Sequence, residues 1–523
     1  MSDRPLVIGT RGSKLALWQA DHIEARLKSL GHSCKQSIIR TKGDQVQDLG
    51  FDKMEGKGFF TKEIENELLS GTIDLAVHSC KDLETRDPDG LHIAAIAGRA
   101  ACEELLITNR DAVDATRPLE LKEGAVVGTS SARRKSQLRM FRPDVRIEDL
   151  RGNVPTRVEK LRGGGYDAIL LAKAGIDRLG LDLSMFHVRT LDPRVFIPAP
   201  AQGALAVQTR TADPQANNAA QELHDDRAAL CVGLERAILF GYRGGCQVPL
   251  GVHATKQENG YSIWASAART WDEVPRRVCL NGADGNALVA GMLQRLQAPI
   301  KPTRVFITRA LSGDELMVRA SAAHGITVIG AALFSPRAIE FIVPENFDRI
   351  FFTSRNAVRF FAQGGGRLDD APCDAIGSGT AEELRRHGAE VAFVGDGPDT
   401  PRIARDYAER FSVQRVLFPC ANEGQRTVQS ALLAGNALDL HVYRMEPTGS
   451  IVVPDVDVAI ITSPTNAEAS HAVQPLDGFK HVIAMGTSTA QRIAELSSVQ
   501  AIIPWASNEM ALLDAVFEIA TSP

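Results

Sequence analysis

The chain has 523 residues, 44% hydrophobic and 24% charged, with a formal net charge of −5. That length exceeds one core and implies roughly three to five domains, and the mild acidity argues against a general nucleic-acid binder. No window approaches the roughly 20 apolar residues of a membrane span, and Met1-Ser2-Asp3-Arg4-Pro5 runs straight into an apolar strand with no leader pattern.

In chain order, residues 6–9 read as a strand, 14–30 as a helix capped by Ser13, 35–40 as a strand, 61–69 as a helix and 73–77 as a strand. A second run reads strand 125–128, helix 132–141, strand 145–149, helix 154–162 and strand 167–172. Both have βαβαβ order, which predicts mostly parallel sheets with helices on the faces. Ile197-Pro198-Ala199-Pro200-Ala201 precedes an apolar strand at 204–207, and its two prolines suggest a crossing between domains. Residues 225–240 carry a helical apolar period. The turn Gly244-Gly245-Cys246 follows, then strands near 248–254, 261–268 and 275–280 and a helix at 285–296, a small α+β module. Residues 297–302 read as a linker.

Beyond the linker the texture repeats. Phe351-Phe352-Thr353-Ser354-Arg355-Asn356-Ala357 echoes Ile460-Ile461-Thr462-Ser463-Pro464-Thr465-Asn466-Ala467. Ala375-Ile376-Gly377-Ser378-Gly379-Thr380-Ala381 echoes Ala484-Met485-Gly486-Thr487-Ser488-Thr489-Ala490. The order is kept, which predicts two similar α/β lobes facing each other. Each echo is an apolar strand running into Ser/Thr at a helix start, where free N–H groups suit an anion.

The eight cysteines are scattered without zinc-ligand spacing, so no metal site is expected and a reducing cytoplasm is the simplest setting. Cys246 stands out because glycines flank it; it is either a packing residue or an exposed nucleophile. Cys80 is a second, less favoured thiol. Ser79-Cys80-Lys81-Asp82 follows a strand, at the carboxyl end where parallel sheets bind ligands, or forms a solvated loop. His78 reads equally as a core histidine. Gly128-Thr129-Ser130-Ser131 leads into Arg133-Arg134-Lys135 at a helix start, where positive charge is mildly unfavourable and an anion would relieve it. Arg11, Arg151, Arg157 and Arg178 also follow strands and can converge on one cleft, with guanidinium forks suited to carboxylates or phosphates. Gly56-Lys57-Gly58 matches a phosphate loop only superficially; residues 42–58 read better as a mobile charged lid.

These residues together resemble the hydroxymethylbilane synthase (porphobilinogen deaminase) family across about 1–300. The matching segments are Thr10-Arg11-Gly12-Ser13-Lys14-Leu15-Ala16, Gly56-Lys57-Gly58, Val77 to Asp82, Gly128 to Arg134, Arg151-Gly152-Asn153-Val154-Pro155-Thr156-Arg157, Gln202-Gly203-Ala204 and the Cys246 turn. Residues 303–523 resemble the uroporphyrinogen-III synthase family through the Phe-Thr-Ser-Arg-Asn-Ala, Gly-Thr-Ala-Glu and Thr-Ser-Pro segments and the two-lobed echo. The two families catalyse consecutive steps, so the chain looks like a fused bifunctional tetrapyrrole enzyme.

The resemblance implies an α/β fold: two periplasmic-binding-protein-like lobes plus a small α+β domain, followed by a two-lobed α/β region. The expected boundaries are 1–95 with 200–215 for one synthase lobe, 96–199 for the other and 216–298 for the cofactor-anchoring domain. The cyclase lobes are expected at 303–337 with 445–523 and at 338–444. By match, Cys246 carries a dipyrromethane cofactor, with Ser79, Lys81, Asp82, Ser130, Arg133, Arg134 and Gln202 around it. Four porphobilinogens add stepwise. Each loses ammonia to give an azafulvene that the growing chain attacks, and Asp82 matches the acidic catalytic residue. Every unit bears an acetate and a propionate, which explains Arg11, Ser13, Arg151, Arg157 and Arg178 as substrate contacts.

The second half would take hydroxymethylbilane, lose water and close the macrocycle with the last ring inverted. Tyr443 is its candidate acid, or an amphipathic edge residue; Thr353, Ser354, Thr380, Thr462, Ser463 and Thr487 are candidate binding groups. The implied setting is a cytoplasmic monomer acting on small molecules, without nucleic acid or membrane. Two departures stand out: Cys80 replaces an apolar residue, often methionine, and Pro200-Ala201-Gln202-Gly203 has alanine where the family has glycine, which would stiffen the hinge. The rival readings are a synthase with a degenerate second half and a non-catalytic two-lobed anion-binding protein.

Overall fold

A computed structural model of the chain describes residues 4–41, 61–242, 248–422, 426–449 and 453–522. The Cys246 turn, the Gly56-Lys57-Gly58 segment and the expected lid at 42–58 lie outside the described residues. The chain divides into two compact units, Met1–Ala298 and Pro299–Pro523.

In the first unit the strands are β1 (Leu6–Arg11), β2 (Cys34–Ile39), β3 (Leu75–Ser79), β4 (Leu91–Arg99), β5 (Glu104–Thr108), β6 (Val126–Gly128) and β7 (Arg146–Glu148). They continue with β8 (Ala168–Ala172), β9 (His187–Leu191), β10 (Ala204–Arg210), β11 (Leu250–Gln257), β12 (Gly260–Ala267) and β13 (Arg276–Gly282). The helices are α1 (Lys14–Ser29), α2 (Lys62–Ser70), α3 (Ala132–Phe141), α4 (Val154–Arg162), α5 (Lys173–Leu179), α6 (Pro214–Gln221), α7 (Asp226–Gly241) and α8 (Gly285–Gln297).

Two sheets share one plan, β2-β1-β3-β10-β4 and β7-β6-β8-β5-β9. Each is mainly parallel, as the sequence predicts, with one reversed strand: β10 runs antiparallel to β3 and β4, and β5 to β8 and β9. The apolar first strand explains the core of the first lobe. Leu6 and Ile8 of β1 pack with Ile23 and Leu27 of α1 and Val207 of β10. Helix α1 starts where the Ser13 hydroxyl accepts from the Ala16 N–H.

The chain crosses between the sheets twice. β4 stays in the first sheet to Arg99 and β5 opens the second at Glu104, so the first crossing lies past the expected 95/96 boundary. The return crossing touches it: the Ala100 N–H donates to the Gly203 carbonyl at 3.0 Å. A Cβ at Gly203 would lie 2.3 Å from the Ala100 oxygen, and its φ is +86°, so only glycine fits there. Ala201 holds φ 62°, a left-handed conformation that is costly for alanine.

The module β11-β12-β13 is antiparallel. Val252, Ala254, Ile263 and Val278 pack with Ile238 of α7 and Leu288 and Met292 of α8. Its other face meets the return crossing: Arg277 donates to the carbonyls of Val195 and Arg194 at 2.8 and 2.7 Å.

In the second unit the strands are β14 (Thr303–Ile307), β15 (Ile326–Gly330), β16 (Phe334–Ala338), β17 (Arg349–Phe352), β18 (Cys373–Ala375), β19 (Val391–Val394), β20 (Val416–Ala421), β21 (Ala437–Pro447), β22 (Val458–Ile461) and β23 (His481–Ala484). The helices are α9 (Leu316–Ala322), α10 (Arg355–Gln363), α11 (Ser378–Arg386), α12 (Thr400–Phe411), α13 (Pro464–Val473), α14 (Thr487–Leu496) and α15 (Glu509–Ala520). The sheets are β15-β14-β22-β23 and β16-β21-β20-β17-β18-β19. The echoed segments occupy equivalent places: β17 into α10 and β18 into α11 in one sheet, β22 into α13 and β23 into α14 in the other. β16 pairs with β21 out to Pro447, so the six-stranded lobe extends past the expected limits of 338 and 444 on both sides.

Candidate active sites

The first unit gathers charge around β5. Its opening residue, Glu104, is fully buried between two arginines at the start of α3, at 2.5 Å from Arg133 and 2.6 Å from Arg134. Arg133 also donates to the Ile197 carbonyl at 2.8 Å, and Arg134 to the Leu170 carbonyl at 3.0 Å. Burial pushes the Glu104 carboxyl up, but the two guanidinium charges overcome this and hold it far below the ordinary carboxylate range. The cost of cations at this helix start, read from sequence as a call for an external anion, is thus met first from inside. One group remains: the buried Arg134 Nε has no partner among the described residues.

Lys81 and Asp82 form a single helical turn, Cys80–Asp82, at the end of β3. Lys81 donates to the Gln202 side-chain carbonyl at 3.1 Å, and the Gln202 amide donates to the Cys102 carbonyl at 2.8 Å. Gln202, fully buried, therefore ties the β3 turn to both crossings. Burial lowers the Lys81 pKa, opposed by Asp82 and Glu104 and assisted by Arg134 and Arg133. Burial and then the Arg134 charge push Arg157 down to about 10, against the attraction of Asp82. Lys81, Asp82, Arg133, Arg134, Arg157 and Gln202 are one constellation. Its cations outnumber Glu104 and Asp82, the chemistry of a site for a polyanion.

Other expected residues surround this group with different duties. The Arg151 Nη1 is buried without a partner among the described residues. Arg178 of α5 donates to the Gly203 carbonyl at 2.6 Å and lies 5.5 Å over the Trp18 ring of α1. Ser79 accepts from the Gln19 amide at 2.8 Å, Ser130 donates to the Leu150 carbonyl at 3.1 Å, and Ser13 caps α1. Arg11 ends β1 and its charge reaches His78; burial first, then Arg11, bring that imidazole down to about 4. Cys80 is not a reactive thiol: it is fully buried, and burial pushes it up to about 11.

Sequence reasoning missed Glu104, whose signal was an acid directly before the apolar Leu105-Leu106-Ile107. It also missed Glu235 of α7. That buried carboxylate accepts from Arg99 at 2.9 and 3.1 Å, from the Ala201 N–H at 2.7 Å and from the Ala254 N–H at 2.8 Å. It pins the end of β4, the return crossing and β11 together.

In the second unit Tyr443 of β21 is buried, stacked on Phe360 with ring centroids 5.4 Å apart, its hydroxyl 3.2 Å from the Ser354 hydroxyl. Burial raises its pKa, which keeps the phenol protonated; the Ser354 bond works the other way. Ser354 also caps α10, accepting from the Ala357 N–H at 3.1 Å. Thr353 precedes it, and Thr380 is buried in the first turn of α11. On the four-stranded lobe, Thr462 lies 3.0 Å from the Thr308 hydroxyl and Ser463 caps α13. The lobes meet where the Thr487 hydroxyl donates to the Pro398 carbonyl at 3.4 Å and the Asn508 amide to the Ser378 hydroxyl at 3.2 Å. Helices α11 and α14 begin at Gly377 and Gly486 with no side-chain cap.

No group of three or more metal-ligating side chains occurs among the described residues, and no described helix is long and apolar enough to cross a membrane.

Residues 6–218 match the family described as porphobilinogen deaminase, dipyromethane cofactor binding domain, and residues 317–514 match uroporphyrinogen-III synthase HemD. The porphobilinogen deaminase of a Nitratiruptor species is 45% identical over 254 residues, 49% of this chain and 80% of that protein. That of Maridesulfovibrio salexigens is 46% identical over 291 residues, 55% of this chain and 92% of that protein. The crystal structure of uroporphyrinogen-III synthetase from Helicobacter pylori 26695 aligns with a TM-score of 0.31 and 18% identity over 42% of this chain and 99% of that one. Through its first unit the chain belongs to the porphobilinogen deaminase family, and a uroporphyrinogen-III synthase domain is fused behind it.

Proposed function

We propose that the residues described above divide two consecutive reactions between them. The chain is a hydroxymethylbilane synthase joined to a uroporphyrinogen-III synthase: four porphobilinogens are linked with release of ammonia, and the linear product is closed with loss of water. The single observation that carries the first assignment is the cluster of Lys81, Arg133, Arg134 and Arg157 around one buried carboxylate, Glu104, beside Asp82.

A dipyrromethane on the Cys246 sulfur fits that cluster, because its carboxylates suit the excess cations and the partnerless Arg134 Nε. When bound, the cofactor supplies the primer from which the chain grows. Lys81, Arg133 and Arg134 hold its carboxylates, with Ser79, Ser130 and Gln202 fixing the walls. Asp82 lies exposed at the end of its turn, where its carboxylate stabilises positive charge on the pyrrole N–H as ammonia departs and carries the proton. Arg11, Ser13, Arg151, Arg157 and Arg178 neutralise acetates and propionates as they accumulate.

In the second unit the phenol of Tyr443, kept protonated by burial, donates to the departing hydroxyl, with Ser354 orienting it. Thr353, Thr380, Thr462, Ser463, Thr487 and the uncapped starts of α11 and α14 bind substrate carboxylates. The synthase lobes, anchoring domain and cyclase lobes follow the sheets, and the enzyme works as a cytoplasmic monomer without nucleic acid or membrane.

Intact-protein mass tests the first half. The purified chain should carry two pyrrole units, and Cys246→Ser none; a bare thiol in active protein overturns the assignment. Product analysis tests the second half, because a dead cyclase leaves hydroxymethylbilane to close to the I isomer.

A further inference from the structure

The starts of α10 and α11 lie side by side, and between them sits a side chain with no role so far. Arg355 is the first residue of α10, exposed, and its Nε donates to the Gly379 carbonyl at 3.1 Å. The guanidinium packs against that turn. A Cβ at Gly379 would stand 2.8 Å from the Arg355 Nη2 and 3.1 Å from its Nε, so the missing side chain at 379 is what admits the fork.

No carboxylate among the described residues balances it. Among the described residues Arg355 makes no ion pair, and neither α10 nor α11 has an acid in its first turn. The carboxylate that feels its charge, Glu383, is already taken by Arg359 at 2.6 Å and Arg386 at 3.2 Å. Arg349 and Arg367, in the same lobe, pair with Asp374 and Asp369. A cation in the first turn of a helix also opposes the helix dipole. A solvated surface arginine needs no such docking; this one is held in place, its Nη groups without a carboxylate. Its neighbour in sequence, Ser354, touches the buried Tyr443 hydroxyl at 3.2 Å, so Arg355 directly follows the residue that contacts the group assigned to hydroxyl loss.

We propose that Arg355 is a substrate-binding residue of the cyclase, its guanidinium taking one carboxylate of the linear tetrapyrrole while Gly379 sets its position. This rests on the cyclase reading above. The fork geometry suits a carboxylate bidentately, which a lysine would not reproduce. The assignment adds a fixed positive charge to the hydroxyls and helix starts assigned above to the substrate carboxylates.

The test supplies hydroxymethylbilane directly to the full chain and measures uroporphyrinogen III formation. Arg355→Ala should raise KM about tenfold with kcat little changed, the loss of roughly one charge-assisted contact. Its KM should also depend less on ionic strength. Arg355→Lys should recover only part of the affinity. Gly379→Ala, which keeps the charge but displaces the fork, should raise KM as well, and the Arg355→Ala/Gly379→Ala double variant should be no worse than Arg355→Ala. An unchanged KM in Arg355→Ala, or fully additive effects in the double variant, overturns the proposal. Should Arg355→Ala fail to fold, Gly379→Ala with an unshifted KM overturns it instead. If the unaltered chain makes no III isomer, it is the cyclase reading that fails.

Discussion

Asp82 stands exposed at the end of a one-turn helix, while Lys81 beside it is packed against Gln202. An exposed carboxylate held near buried cations, with no side-chain hydrogen bond among the described residues, can meet substrate charge directly. Asp82→Asn keeps the shape and removes the charge. Turnover of porphobilinogen should fall about 10²- to 10⁴-fold, the span of one general acid–base group, with an unchanged circular dichroism spectrum; near-normal turnover would remove Asp82 from the mechanism. Ala201 makes a second residue-scale case. The sequence departure suggests a stiffer hinge; in the structure this residue has φ 62° and its N–H is committed to Glu235. Left-handed alanine costs roughly 1–2 kcal/mol, partly offset by the backbone entropy that glycine loses. Ala201→Gly should therefore raise stability by about 0.5–1 kcal/mol, read as a higher Tm for the first unit, and a lower Tm would show that the strain is absent. Single residues were legible where a short motif carried them, as with Lys81-Asp82. Glu104 and Glu235 were not, because their significance lies in partners distant in sequence: Arg133 and Arg134 on α3, and Arg99 on β4.

Whole elements read more clearly than their connections. Helices α3 and α4 have the boundaries the sequence predicts; in α4 a cap stands at the start, where the Asn153 side chain accepts from the Thr156 N–H at 3.0 Å, and Gly163 stands at the end. Strands β4, β5 and β9 were missed. They lie to one side of the βαβαβ runs, where each sheet continues through a reversed strand, and β9 is an edge strand whose His187 and Arg189 face Glu120, so it has no continuous apolar signal. Strand β11 carries a consequence of its position. His253 is buried on the face toward the crossings, stacked on Trp264 and 3.7 Å from the Cys102 sulfur. Burial first, then the Arg99 charge, bring its pKa from 6.5 to about 3. Between those values the unfolded chain binds a proton that the fold refuses, so stability rises with pH through this window. His253 thus leaves stability intact above about pH 6.5 and lowers it as pH falls toward 3, by on the order of 3 kcal/mol at about pH 4.5. His253→Gln should cost stability at pH 7 and lose less of what remains on acidification. Thermal unfolding of both proteins at about pH 7 and about pH 4.5 measures this, and parallel losses would mean that other groups set the acid limit.

At the scale of the whole chain, the division at Ala298 and Pro299 interrupts no regular element. Helix α8 ends at Gln297 and β14 begins at Thr303. Lys301 already belongs to the second unit, its N–H donating to the Ala520 carbonyl at 3.0 Å. Each unit owns complete sheets and its own buried clusters, so neither should need the other to cover an apolar face. The residues assigned to each reaction also fall wholly within one unit. Separate expression of 1–298 and 299–523 should therefore give two folded proteins. The first alone should consume porphobilinogen, acquire two pyrrole units on Cys246 and release a product that closes to the I isomer. Adding the second should turn the product to the III isomer without changing the rate of porphobilinogen consumption. Isomer analysis by chromatography reads the outcome directly. If 1–298 fails to fold, or yields III isomer by itself, or slows when severed, the two halves share a core or a site, and assigning one reaction to each unit would have to be abandoned.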